Sequence, residues 1–461
     1  MSLKKGFIYV FCANLLSLFV SIITGFILPK MLFVNTYSEI KLFQLYVAYI
    51  GILHLGFSDG MYLKYGGRNI KDLNFSSIQS EFKTFKCFQF VVTIICILGS
   101  LLIKNKVIFY CCLVILPINI GNYLRNLYQA IGKFDQYAKF TNMNTFFMFF
   151  VNFFLLFIIK TQDAFLYILG YILFYFLYWF LLEKEVKKIF GKAKAMVNTE
   201  YIKENISKGF YLMLGNFANV LFTSIDRLFV KYFLGMVQFA YYSFAVSIEN
   251  LLNSVVNPIS VVLFNYLCQN KEKDKIVYVK SVLLFMASSI LIVIFPTKFI
   301  LELWLVKYKD SLNVLFFLFG AQFIAILIRC VHTNLYKVQN RQSQYFKIMN
   351  VIIVFSGLFN FGFYFIFKNM ESFAVATFVT NLIWFWIGEF NFKEYKLEKK
   401  HYSFSFFSLL LFFICGFCFN AIIGGLLYLS GIFILSVVLM RDVLKSIKED
   451  WKKFYQKKMK F

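Results

Sequence analysis

Charge and aqueous chain are both scarce in this sequence. Only 15% of its 461 residues are charged, and acidic residues number 23. Between apolar runs the longest polar stretch is 183–208, about 25 residues, which leaves no room for a nucleotide-binding domain. No GxxxxGK[ST] phosphate cradle and no Ser/His/Asp set is visible. A membrane glycosyltransferase, polymerase or ligase needs a larger extramembrane region than these loops supply, so the expectation is a non-enzyme without cofactors. Any transport must then draw on ion gradients, membrane potential or substrate flux. Cys415 and Cys418 form the one CxxC, inside an apolar run, with no second pair or His at metal spacing; packing is the favoured reading and no metal site is expected.

What the chain has instead is grease: 60% hydrophobic residues, 64 Phe and a mean hydropathy of +0.70. Fourteen apolar stretches of about 17–25 residues match the length an α-helix needs to cross a hydrocarbon core of about 30 Å. They run over 6–28, 40–59, 87–103, 107–128, 143–159, 164–182, 209–230, 237–264, 281–297, 311–331, 348–367, 372–388, 403–420 and 422–440. The first is too long for a cleaved signal peptide and lacks a small-x-small site before Pro29.

The net charge of +25 could suggest nucleic acid, but its distribution argues otherwise. With the amino terminus inside and loops assigned alternately, 37 Lys and Arg are cytoplasmic and 11 external, together the 48 present. Basic loops resist translocation, which predicts both termini in the cytoplasm. The basic tail 441–461 is expected to lie along anionic headgroups, each nearby cation contributing about 1 kcal/mol. No basic face carries interleaved aromatics outside the membrane, so no nucleic-acid partner is expected.

An internal repeat sets the organisation. LYQAIGKFDQYAKFTN (127–142) and LYKVQNRQSQYFKIMN (335–350) share Leu, Tyr, Gln, Tyr, Lys and Asn at a constant offset of 208. Each copy leads from the fourth to the fifth span of a six-span set, and Lys5-Gly6-Phe7 is echoed by Lys208-Gly209-Phe210. Six spans separate the copies, so both halves enter the membrane from the same side, as parallel repeats. The predicted fold is an all-α polytopic membrane protein of about fourteen helices: two six-helix lobes around a central cavity, plus two C-terminal helices. The limits read from the sequence are an N-lobe at 1–183, a linker at 184–208, a C-lobe at 209–388, a second linker at 389–402, spans 13–14 at 403–440 and the tail at 441–461.

Polar residues in the spans form stripes. Span 1 carries Asn14, Ser17, Ser21 and Thr24 on one helical face; span 7 carries Asn216, Asn219, Thr223 and Asp226 at the same spacing. Span 8 adds Ser243, Ser247, Asn250, Ser254 and Asn257, with Glu249 and Asn253 beside them; span 2 adds Gln44, His54 and Ser58. Such stripes face protein or water. Helix–helix hydrogen bonding is one reading; the matching positions in both halves favour a cavity lining. Glu249 lies mid-span, where an ionised carboxylate costs at least about 2.5–3.5 kcal/mol, so it is either an ion-coupling group for H+ or Na+ or a carboxyl bonded to nearby amides. Of only six Arg, Arg125, Arg227 and Arg329 fall within spans. They suit a pyrophosphate, which Arg holds bidentately, or they snorkel. His54 reads first as a packing residue. Pro117 and Pro258 favour kinks in spans 4 and 8.

With those residues in view, GFSDGMYLKYGGR (56–68), LYQAIGKFDQYAK (127–139) and SIDRLFVKYFLG…YYSFA (224–245) resemble polysaccharide exporters of the multidrug/oligosaccharidyl-lipid/polysaccharide (MOP) superfamily. The nearest resemblance is to Wzx-type flippases for the repeat units of capsule or of lipopolysaccharide O-antigen, and it covers nearly the whole chain. It implies an alternating-access cavity lined by spans 1, 2, 7 and 8 in a bacterial cytoplasmic (inner) membrane. The implied cargo is an undecaprenyl-pyrophosphate-linked oligosaccharide; the implied partners are membrane lipids, a coupling H+ or Na+ and the polysaccharide polymerase machinery. Lipid II flippases of the superfamily place several arginines in their early helices, whereas span 1 here has none and span 2 offers only His54 and Asp59. Multidrug exporters need acidic cavities, a role that Glu249, Asp226 and Asp59 could fill only in part. A lipid II flippase and a multidrug/cation antiporter therefore stand as alternatives.

Overall fold

The computed structural model describes residues 18–66, 74–190, 196–270 and 272–458, and no strand occurs among them. Ten of the described helices are long and apolar enough to cross a membrane, or twelve if each of two bent pairs is one span. These twelve coincide with predicted spans 2–6 and 8–14. The chain is a multi-pass membrane protein.

Two predicted spans look different. Of span 1, the described part is the short apolar helix Leu18–Met31. Span 7, expected over 209–230, is divided into Glu200–Phe222 and Ile225–Leu234. The reason lies in its polar side chains. Thr223 and Ser224 turn their hydroxyls back onto the carbonyls of Asn219 (3.1 Å) and Val220 (2.6 Å). Such bonds compete with the backbone ladder and favour a bend there. The chain forms two compact units, Met1–Ser224 and Ile225–Phe461. Their boundary falls one helix later than the lobe limits of 183 and 209 read from the sequence.

In the N-terminal unit, span 2 is broken. Its arms Val34–His54 and Phe57–Tyr65 are bent by 63°, with Leu55 (φ 51°) and Gly56 (φ 88°) both left-handed. The Leu53 carbonyl freed at the break accepts from Gln89 Nε2 at 3.2 Å, and Gln89 in turn accepts from Asn119 at 2.7 Å. Irregular backbone at membrane depth is tolerated because protein satisfies it in this way. Past the break, Gly56 and Gly60 present a small-xxx-small face to the helix Glu200–Phe222. A Cβ on Gly60 would lie 2.0 Å from the Asn205 carbonyl oxygen, and one on Gly209 would lie 2.0 Å from that of Gly56. The two backbones touch. Behind them stack Phe57, Phe85 and Tyr123, with ring centroids 4.9 and 4.7 Å apart in sequence.

In the C-terminal unit, Ser311–Leu327 is apolar on nearly every side and buried on nearly every side, as an all-round hydrophobic helix must be. Phe316 from this helix meets Phe412 at 5.4 Å, and Gly416 makes the space, since a Cβ there would lie 2.2 Å from the Phe316 ring. The buried Lys298 ammonium donates to the carbonyls of Gly416 (2.8 Å) and Phe419 (2.6 Å). It thereby satisfies acceptors that the helix Lys399–Cys418 leaves open at its end.

The sequence repeat is a repeated turn. Lys133 N donates to Tyr128 O at 2.9 Å and Arg341 N to Tyr336 O at 2.8 Å. The inner bonds, Gly132 to Gln129 and Asn340 to Lys337, are both 3.2 Å. Gly132 (φ 71°) and Asn340 (φ 56°) occupy the left-handed position that this helix-ending motif reserves for Gly or Asn. The offset of 208 thus preserves a backbone motif as well as letters.

The glycine crossing generates a prediction. Gly209→Ala drives a methyl group into backbone that cannot yield, an overpacking cost of about 1–3 kcal/mol or more. Gly215→Ala, six residues on with nothing within 4 Å of its Cβ, is neutral. Thermal unfolding of the two purified variants in one detergent checks this; equal midpoints would show that the crossing relaxes freely.

Candidate functional site

The polar residues singled out in the sequence fall into local groups within each unit. Asn14 and Ser17 lie outside the described residues. Of the rest of the span 1 stripe, Thr24 is satisfied locally, its hydroxyl bonding the Val20 carbonyl at 2.9 Å, and Ser21 is half-buried beside it.

In the N-terminal unit, the break in span 2 brings together His54, Asp59 and Asn216. His54 Nε2 stands 3.6 Å from Asp59 Oδ2, and Asn216 Nδ2 donates to Asp59 Oδ1 at 3.1 Å. His54 and Asp59 are buried while Asn216 is exposed, as are Asn219 and Thr223 on the same helix. Arg125 is turned to its own helix, where it bonds Asn122. Pro117 sits in the first turn of Ile115–Ala130, just after a 43° bend from Lys106–Leu113. There its missing N–H has no helical partner to lose.

In the C-terminal unit, Arg329 donates to Asn253, and Asn253 to Asn250 at 2.9 Å. The Arg329 carbonyl accepts from Ser260 at 3.1 Å, and Asn334 reaches the Ser260 carbonyl at 2.9 Å. Arg329 belongs to a wide-turn (π) stretch, Ile328–His332, a local unwinding that often marks functional positions. Glu249 is not isolated: Gln322 Nε2 donates to it at 2.5 Å. Asp226 is buried and accepts from Tyr242 OH and from the Arg227 amide, each at 2.7 Å. Asn250 and Asn257 are exposed, and Pro258 sits inside the long helix Met236–Gln269 without ending it.

Two buried charge networks were not read from the sequence. Glu81, with no exposed surface, accepts from Tyr65 OH and Asn205 Nδ2, both at 2.7 Å, and pairs with Lys64 at 3.2 Å. Lys64 also reaches Glu204 at 2.9 Å. In the other unit Lys280 pairs with Glu389 and donates to the Tyr395 carbonyl at 2.8 Å. His332 Nε2 lies 2.9 Å from the same carboxylate, and Tyr402 bonds its other oxygen. A Cβ on Gly388 would lie 2.2 Å from His332 Nδ1, so only glycine leaves room for that ring. Glu81, Lys280 and Glu389 fell in stretches counted as loop, because a few charges end an apolar run on paper. The helices in fact run on: Phe75–Ile103, Lys273–Leu303 and Glu371–Asn391. Among the described residues no three His, Cys, Asp or Glu could hold a metal ion.

Comparison with known proteins fits this geometry. Residues 105–304 match a family model described as polysaccharide biosynthesis protein. The fold is that of transporters. A structure of the lipid II flippase MurJ in an inward closed conformation superposes with a TM-score of 0.68 at 13% identity, covering 96% of this chain and 100% of that one. An inward-facing multidrug resistance transporter of the MATE family gives 0.57 at 10% identity, covering 85% and 95%. A eukaryotic MATE transporter gives 0.55 at 11%, covering 88% and 97%. No curated protein sequence matches the chain. The family model covers under half of the chain, and what the whole chain shares with these structures is the fold.

Exposed amides at membrane depth imply water. In a cysteine-free background, single Cys at Asn216, Thr223, Asn250 and Asn257 should react with a small membrane-impermeant thiol reagent, whereas Cys at the buried Ser243 should not. Protection of all five positions in intact membranes would mean that the stripes face lipid or neighbouring helices.

Proposed function

We propose that this chain is a flippase that moves undecaprenyl-pyrophosphate-linked oligosaccharide repeat units, of the O-antigen or capsule class, across the bacterial cytoplasmic membrane by alternating access. The observation that carries the reading is the polysaccharide-biosynthesis match over 105–304, in a chain whose length takes the fold of a lipid-linked-precursor flippase. On this reading the basic loops keep both termini cytoplasmic and the loop around 195 inside. The pyrophosphate meets Arg125 and Arg329 toward the inner mouth and Arg227 toward the outer. The stripes carried by Ser21, Thr24, Asn216, Asn219, Thr223, Asn250, Asn253 and Asn257 accommodate the glycan, while the lipid tail stays in the bilayer. Arg329 supports this, since Asn253 takes one of its five donors and leaves a fork to offer phosphate oxygens. Glu249 is the group in the C-terminal unit for a coupling H+ or Na+. The polymerase machinery is the partner that would receive the product.

Expression in cells lacking a repeat-unit flippase tests the reading. The chain should restore surface polysaccharide. Arg125→Ala and Arg329→Ala should each cut it about tenfold or more at unchanged protein level, the loss expected when a charge-assisted contact of about 1.5–3 kcal/mol is removed. Arg→Lys should recover part of it, because charge is kept and the bidentate fork is not. Rescue of cells depleted of a lipid II flippase, with no surface glycan, would move the cargo to lipid II. A reporter active outside the cell when fused near residue 195 would overturn the orientation.

A further inference from the structure

We propose that the break in span 2 is a proton-binding site, built from Asp59 and His54 and closed by Asn216. The chain turns by 63° through Leu55 and Gly56, and this sets His54, at the end of one arm, near Asp59 in the first turn of the next. The Gly56 amide donates to His54 Nδ1 at 3.0 Å. Nδ1 therefore offers a lone pair, and the neutral ring carries its hydrogen on Nε2, the side that faces Asp59. At 3.6 Å that contact is too long for a hydrogen bond. Asp59 Oδ1 accepts from Asn216, but among the described residues Oδ2 is buried with no hydrogen-bond partner. Both residues are more than nine-tenths buried, His54 at 8% exposure and Asp59 at 6%.

A buried carboxylate oxygen left bare is costly, and protonation removes both the charge and the vacancy. The elements packed around the break offer neutral amides. Asn216 comes from Glu200–Phe222; Asn126, bonded to Ser58 at 3.1 Å, comes from Ile115–Ala130; and Gln89, on the Leu53 carbonyl, comes from Phe75–Ile103. The neighbouring charges have partners elsewhere: Lys64 with Glu81 and Glu204, and Arg125 with Asn122. A metal cation is disfavoured. It would need several oxygen ligands, whereas His54 aims an N–H into the space. The proton comes from water on the exposed Asn216 side, joins Asp59 Oδ2 to make a carboxylic acid, and leaves by the same route.

The site is placed to be felt. Asn216 lies on the helix that Gly209 holds in backbone contact with Gly56 and Gly60. Ionised Asp59 grips that helix through a charge-assisted bond, and protonated Asp59 grips it less. That this proton drives export rests on the flippase reading; that it binds does not.

The test is infrared difference spectroscopy on the full chain in lipid nanodiscs, stepping from about pH 8 to about pH 5, the range in which such switches act. A carbonyl-stretch band of a newly protonated carboxyl should appear, persist in Glu249→Gln and vanish in Asp59→Asn. Asn216→Ala keeps Asp59 in place and should move the band's midpoint to higher pH, because it removes a donor to the ionised form. That second variant serves if Asp59→Asn fails to fold. A band indifferent to both substitutions overturns the site, as does a band that added sodium suppresses at fixed pH. Loss of surface glycan rescue with the band intact would overturn the flippase reading alone.

Discussion

Backbone contact between Gly56, Gly60 and Gly209 is the constraint on which the N-terminal unit depends. It forces a left-handed turn at Gly56, and so breaks span 2. The break frees the Leu53 carbonyl, which makes Gln89 and Asn119 necessary as buried amides. It also draws the helix Glu200–Phe222 down onto span 2, and this helix and the residues flanking it then meet spans 2 and 3. Met196 and Asn198 reach Ser80 and Thr84, Tyr201 reaches Ser77, Asn205 reaches Glu81, and Ser224 reaches Tyr49. Of these, the bond from Asn205 sits at the crossing itself, since the Asn205 carbonyl faces Gly60.

Charge in the greasy interior obeys a second rule. Removing one partner of a buried ion pair costs about 3–5 kcal/mol, because the other charge is stranded, and away from Asp59 the charges between helices here are paired. The half-buried Lys86 of span 3 pairs with Glu183 of span 6, and the buried Lys280 of span 9 with Glu389 of span 12. The spans correspond in the two halves. The pairs are not at one sequence offset, which explains why a search for repeated letters misses them. What the repeat conserves is a need to tie third and sixth helices together by opposite charges, and several positions on a helix end can meet it.

How much of this was legible follows from how local each signal is. The spans are legible because hydrophobicity accumulates over some twenty residues, and twelve of them stand where the sequence put them. The repeated turn at Tyr128–Lys133 and Tyr336–Arg341 is legible because its bonds close within six residues. The division of span 7 was not, since a hydroxyl folded back on a preceding carbonyl accompanies a break at Thr223 and Ser224 but leaves the helix whole at Thr24. Glu81 and Glu389 were illegible for a different reason: one partner of each, Asn205 and Lys280, is more than a hundred residues away.

The candidate site was legible in type rather than in grouping. The stripes named residues that the structure leaves exposed, such as Asn216, Asn250 and Asn257, and that is as far as helical periodicity reaches. Periodicity cannot say that His54 closes back on Asp59, because five residues of regular helix would turn them to opposite faces. Only the left-handed pair Leu55–Gly56 reverses that geometry. The glycine that the packing requires is thus also what creates the one histidine–carboxylate contact of the broken span. A substitution there acts on chemistry and on packing together, and the two are separable only at positions, like Asn216, that touch the carboxylate without touching the crossing.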